Sequence, residues 1–232
     1  MRILATPFSL LLSALYTALG RYWLAIVILS IIVRLCMYPI YKKQILSTAG
    51  MTDIQPKVKE IQRKYANDKE TMNQKIAELY KAENFNPAAG CLPMVIQLVV
   101  IGGLFALLRY PLNYLDDTMV FAVHESFLWI KDLSQPDQWI LPIASGIATF
   151  FAFSMNQQTN AQAPGMGAGM GIMKFLFPLM IVLLAKTYPA GLAIYWFISQ
   201  VTQVFFNLRF NKLRKDMQEK KTDSKKRKPQ TA

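Results

Sequence analysis

Acidic residues are scarce in this sequence, and they are missing from its interior. Only 14 of 232 residues are Asp or Glu against 26 Lys or Arg, and none of the 14 falls within a long apolar run. That excludes the chains of buried carboxylates by which many pumps and transporters relay protons. Histidine and cysteine are scarcer still. His124 stands in a loop with no second ligand-type residue except carboxylates, which argues against a metal site or a catalytic dyad, and no cofactor is implied. Cys36 and Cys91 each lie near the end of a hydrophobic run adjoining a basic segment, which reads as two reduced thiols on the cytoplasmic side and not as a disulfide. Charge of either sign makes up only 17% of the chain against 53% hydrophobic residues, a balance that points away from a soluble domain and toward a bilayer as solvent.

The apolar residues are arranged to match. In hydrocarbon every backbone N–H and C=O must be satisfied within the segment, so a crossing takes a helix of roughly 17 to 25 mostly apolar residues. Five stretches read as such spans: 21–41, 90–109, 139–155, 170–186 and 188–208. The first is interrupted only by Arg34 and leaves the membrane where Pro39, Lys42 and Lys43 stand. The fourth carries Pro178, with Lys174 and Lys186 near its ends able to snorkel outward. Ahead of them, residues 1–20 place Thr6, Ser9, Ser13, Thr17 and Gly20 in one stripe opposite Phe8, Leu11, Leu12, Leu15 and Leu19. This spacing predicts an amphipathic helix lying in the interface, with Thr6 as N-cap and Pro7 in the first turn. A cleavable leader and a sixth span are the alternatives.

Charge gives the orientation. The segment 42–89 holds nine Lys or Arg, whereas 110–138 holds one, Lys131, against five acidic residues. By the positive-inside rule the first is cytoplasmic and the second extracellular. The loop 156–169 and the tail 209–232, with ten Lys or Arg, then lie inside, and the N-terminus lies outside. Within 42–89, Met51, Ile54, Val58, Ile61 and Tyr65, then Met72, Ile76, Leu79 and Tyr80, recur at helical spacing. They predict a cytoplasmic hairpin of two helices turning at Asn67-Asp68 and returning to the membrane at Asn86-Pro87. The fold class is therefore an all-α integral membrane protein: five transmembrane helices, an N-terminal interfacial amphipathic helix and a cytoplasmic helical hairpin.

Arg34 is the most informative residue. Twelve residues after Tyr22, it lies roughly 18 Å from the outer end of its span. A charge there costs roughly 2.5 to 3.5 kcal/mol on insertion scales. No acidic partner is available in the spans. The remaining polar candidates are neutral: Ser30 one turn earlier, Gln97 in the second span, Ser145 and Thr149 in the third, and Trp196, Ser199, Gln200, Gln203 and Asn207 on one face of the fifth. These residues together read as a water-containing groove, open to the cytoplasm, whose single cation has no permanent counter-ion and attracts a passing carboxylate of a client. Snorkelling of Arg34 to the headgroups, and interhelical gluing by the glutamines, are the alternatives.

At these residues the chain resembles the YidC/Oxa/Alb family of membrane protein insertases. The resemblance rests on Ile32-Val33-Arg34 leading to Pro39, on Gln55-Pro56-Lys57, Glu60-Ile61-Gln62 and Lys64-Tyr65 in the hairpin, and on Asn86-Pro87, Gly90-Cys91-Leu92-Pro93 and Gln97. Phe127-Leu128-Trp129-Ile130 with Asp132-Leu133-Ser134, and Pro189-Ala190-Gly191-Leu192 with Tyr195-Trp196 and Ser199, extend it. Leu98-Val99-Val100 and Gln200 depart from the family pattern, where a proline and an asparagine are common. The resemblance implies a non-enzymatic, ATP-independent insertase and chaperone of the bacterial cell membrane, of the shorter Gram-positive type. Nascent membrane proteins would be its clients, with the ribosome and the Sec translocon as partners. The basic tail is suited to anionic lipid or to ribosomal RNA, and the protein is expected to be a monomer. A small-solute transporter or channel, and a scaffold for other membrane proteins, are the competing classes. Solute flux without client insertion would favour the former, and intact function after replacement of the groove residues the latter.

Overall fold

The computed structural model describes residues 2–49, 51–83, 85, 92–115, 117–160 and 167–227. The Asn86-Pro87 return and Cys91 lie outside them. The described residues form nine α-helices, in order: α1 (Arg2–Leu19), α2 (Tyr22–Ala49), α3 (Met51–Lys64), α4 (Lys69–Ala82), α5 (Leu92–Arg109), the short α6 (Asp117–Ala122), α7 (Ile140–Asn160), α8 (Gly167–Ala185) and α9 (Ala190–Arg227). Among the described residues there is no strand, only a single antiparallel bridge between Phe127 and Ile130. One helical stretch, Tyr22–Lys43, is by itself long and apolar enough to cross a membrane; Ile3–Leu19, Val95–Arg109, Ile140–Met155 and Ile172–Ala185 are shorter apolar helices.

Helix ends differ from the span ends. Pro39 lies inside α2, which runs on to Ala49, because a proline deletes only its own bond to the residue four earlier and nothing after Tyr41 stops the helix. At 1.5 Å per residue the 28 residues of α2 measure about 42 Å, more than a hydrocarbon core is thick. α9 likewise extends past Leu208 through 38 residues, about 57 Å. The helix expected to open at Thr6 instead begins by Arg2, with Pro7 inside it. Starting earlier costs one bond, to Ile3, and supplies the rest of a turn with partners. Two of the α1 hydroxyls bond to their own helix, Ser9 donating to the Thr6 carbonyl at 2.9 Å and Thr17 to that of Ser13 at 2.9 Å.

The bundle is built on α9, which packs against α2 and α7, while α8 packs on α7 and α1 lies along α5 and α2. Close approach of α1 to α5 depends on Gly103, where a Cβ would stand 2.6 Å from the Leu4 carbonyl oxygen. α3 and α4 form the expected separate hairpin with its own small core of Ile54, Val58 and Ile76. Asp68 caps α4 by accepting from the Thr71 amide at 3.0 Å, and Lys57 pairs with Glu83 at 2.5 Å across the hairpin.

Candidate functional site

Arg34 faces into the bundle and is 2% exposed. Its Nη1 donates to the Tyr41 hydroxyl at 3.0 Å and to Gln203 Oε1 at 3.1 Å. Tyr41 is seven residues further along the same helix, two turns and so the same face; Gln203 comes from α9. Gln203 Nε2 donates in turn to Asn207 Oδ1 at 2.9 Å, and Asn207 Nδ2 donates to the Ala152 carbonyl of α7 at 3.1 Å. One connected chain of hydrogen bonds thus runs from α2 through α9 to α7.

A second seam joins α7 to α9. Trp196 Nε1 donates to Thr149 Oγ1 at 2.9 Å, Thr149 donates to the Ser145 carbonyl at 2.7 Å, and Ser145 Oγ reaches the Ala193 carbonyl at 3.4 Å. Ser30 bonds back to Ile26 at 2.7 Å and takes no part in either network. Gln97 and Ser199 keep buried polar atoms without a partner among the described residues, as do Arg34 Nε, Tyr195 and Ser154. Gln200 is buried on the same helix face. Of the ten polar residues that the sequence groups together, Arg34, Gln203 and Asn207 form one network and Ser145, Thr149 and Trp196 another. Tyr41, Tyr195 and Ser154 are additions. The sequence signal for Tyr41 is its two-turn spacing from Arg34, and for Tyr195 its place four residues before Ser199.

The electrostatics are lopsided. The four ion pairs among the described residues, Arg21 with Glu125, Lys57 with Glu83, Lys75 with Glu78 and His124 with Asp132, all lie outside the apolar stretches of the bundle. Arg34 has none. Its hydrogen bonds are to neutral acceptors, which lower the cost of burial without cancelling the charge. Such a group performs no bond chemistry; what it provides is a fixed positive potential in a low-dielectric setting, where a carboxylate is attracted far more strongly than in water.

One end of the bundle is covered by the segment after α6. Glu125 accepts from the Tyr22 amide at 2.5 Å and pairs with Arg21 at 3.1 Å. Asp137 accepts from the Leu141 amide at 2.6 Å, and the carbonyls of Gln135 and Leu133 accept from Ala190 and Gly191 at 2.9 and 3.1 Å. One loop therefore satisfies amides at the N-terminal ends of α2, α7 and α9, the three helices that carry the site.

Known proteins resemble this chain in sequence and in fold. The family model described as 60Kd inner membrane protein matches residues 14–220. The chain is 38% identical to the membrane protein insertase YidC of Oceanobacillus iheyensis over 199 residues, covering 82% of this chain and 75% of that one. It is 33% identical to the protein of the same name from Fusobacterium nucleatum, covering 80% and 83%. With the Citrifermentans bemidjiense protein it shares 34% identity over 90% of its own length but spans only 37% of that longer relative. A crystal structure of an active YidC insertase with its first transmembrane domain resolved is similar over 88% of this chain and 45% of that one, with a TM-score of 0.61 and 27% identity.

Proposed function

Because this chain belongs to the 60Kd inner membrane protein family, in which its relatives carry the name membrane protein insertase YidC, we propose that it inserts small membrane proteins into the bacterial cell membrane and assists their folding. Five spans enclose a polar groove open to the cytoplasm, with the acidic loop outside, the basic hairpin and tail inside, and α1 in the outer interface. Arg34 attracts acidic residues in the translocated segment of a client, which then slides into lipid along the apolar side. The hairpin and the tail Lys220 to Lys228 meet the ribosome and anionic lipid, and the protein works as a monomer, alone or beside the Sec translocon.

The observation that carries this reading is a guanidinium that is buried, held by neutral acceptors and left without a carboxylate. A stability role alone would favour an ion pair, since an uncompensated buried charge is costly. An unpaired charge instead suits a partner that arrives and leaves.

The test is insertion into proteoliposomes of a client carrying Asp in its translocated segment, beside the same client carrying Asn. A pair of charges about 4 Å apart at an effective dielectric near 20 gains roughly 4 kcal/mol. Realising about a third of that gives about a tenfold preference. Arg34→Ala is expected to remove that advantage for the Asp client and to spare the Asn client, whereas Arg34→Lys keeps part of it. Full insertion of the Asp client by Arg34→Ala at unchanged protein level rejects the electrostatic role.

A further inference from the structure

The direction of every hydrogen bond in the α2–α9–α7 chain is fixed by its far end. A backbone carbonyl only accepts, so at Ala152 the side chain of Asn207 must present its amide nitrogen, Nδ2, 3.1 Å away. That turns Oδ1 toward Gln203, which must then present Nε2, 2.9 Å away. Oε1 of Gln203 is left facing α2, and it is an acceptor, 3.1 Å from Arg34 Nη1. A free glutamine could as easily turn its NH2 toward the guanidinium and repel it. Asn207 removes that choice.

The consequence reaches the far edge of the arginine. Nη1 carries two hydrogens, and Gln203 and Tyr41 take one each. Nε is buried and has no hydrogen-bond partner among the described residues. Nε therefore keeps an unspent donor on the edge it shares with Nη2, and two parallel N–H groups on such an edge match the two oxygens of a carboxylate.

We propose that Asn207 is a positioning residue: acting through Gln203, it holds Arg34 so that the Nε edge is presented side-on to a client carboxylate. This rests on the reading that Arg34 attracts acidic client segments. Asn207 itself touches neither Arg34 nor the client. Tyr41 restrains the same nitrogen from within α2, so the guanidinium is fixed from two helices at once.

The test combines a spectroscopic readout with a double-mutant cycle in the full chain. In nanodiscs, the 15N signals of the Arg34 guanidinium are expected to be separately resolved in the native protein, reporting restricted rotation, and to merge in Asn207→Leu. In proteoliposomes, Asn207→Leu is expected to lower insertion of the Asp-bearing client about fivefold, the equivalent of about one neutral hydrogen bond. The loss should be markedly smaller for the Asn-bearing client. In a Gln203→Leu background the same change is expected to add nothing, since its route of action is already gone. Asn207→Ala serves as the second variant where leucine does not fit. Unchanged guanidinium signals, additive losses in the double variant, or equal losses for both clients would each overturn the proposal. Merged signals with full insertion by Arg34→Ala would leave the positioning intact and reject the electrostatic reading on which its purpose rests.

Discussion

A guanidinium in the hydrocarbon zone starts with a deficit of roughly 2.5 to 3.5 kcal/mol on insertion scales. Hydrogen bonds to a charged group contribute roughly 1.5 to 3 kcal/mol each. The two bonds to Tyr41 and Gln203 are thus of the right size to hold Arg34 in place without a counter-ion. Gln203→Glu separates stability from function, since it supplies the carboxylate that the site lacks. Thermal unfolding in detergent is expected to be unchanged or raised, while insertion of an acidic client falls about tenfold, as for loss of the ion-pair attraction. Undiminished insertion by this variant would mean that the charge of Arg34 is not what the client meets. At this scale the sequence was informative where a polar residue interrupts an apolar run, as at Arg34, Gln97 and Gln203. At Tyr41 its one signal, the two-turn spacing from Arg34, is masked, because a tyrosine near a span end ordinarily marks the headgroup level. Only the fold shows that its hydroxyl points back to the arginine.

Among the elements, the loop after α6 does the most with the fewest residues. The first amides of a helix have no partner within it and carry the positive end of its dipole, so carboxylates are stabilising there. Glu125→Ala leaves the Tyr22 amide unbonded and frees Arg21; a loss of about 1 kcal/mol, typical of a helix cap, is expected as faster amide exchange at the start of α2. The same loop contains Asp132. Burial alone would raise its pKa, but hydrogen bonds from His124 and Ser134 outweigh that and hold it below the ordinary 3.8. A folded value below the unfolded one means the contribution is present above pH 3.8 and is lost as the pH falls beneath it. Loop protection from exchange is therefore expected to be insensitive to Asp132 between pH 7 and 5, and to decline below about 3.8; a decline centred near neutrality would point to a different group. Element positions were legible because hydropathy and helical period are set by the solvent each face meets. The ends of α2 and α9 were not, since Lys42 and Arg209 mark where water begins and place no stop on the helix.

For the whole molecule, the sequence's charge asymmetry and the fold's end-to-end layout agree. α2, α7 and α9 begin beneath the acidic loop, whereas the basic hairpin follows the other end of α2 and the basic residues of α9 lie beyond Leu208. One end is closed by hydrogen bonds from a single loop to three helix starts. Within the bundle, by contrast, Gln97 and Ser199 retain buried polar atoms that nothing in the described residues satisfies. Buried groups of this kind are normally bonded, to water where no protein group reaches them. If water supplies those partners, it must come from the side that the loop does not seal. A cysteine placed at Gln203, after Cys36 and Cys91 have been replaced by serine, is therefore expected to react with a membrane-impermeant thiol reagent in inverted vesicles, which expose the cytoplasmic face. Right-side-out vesicles should leave it unmodified. Equal labelling from both sides would indicate a channel through the bundle, and labelling from neither would indicate a dry core in which Arg34 could not meet a client carboxylate.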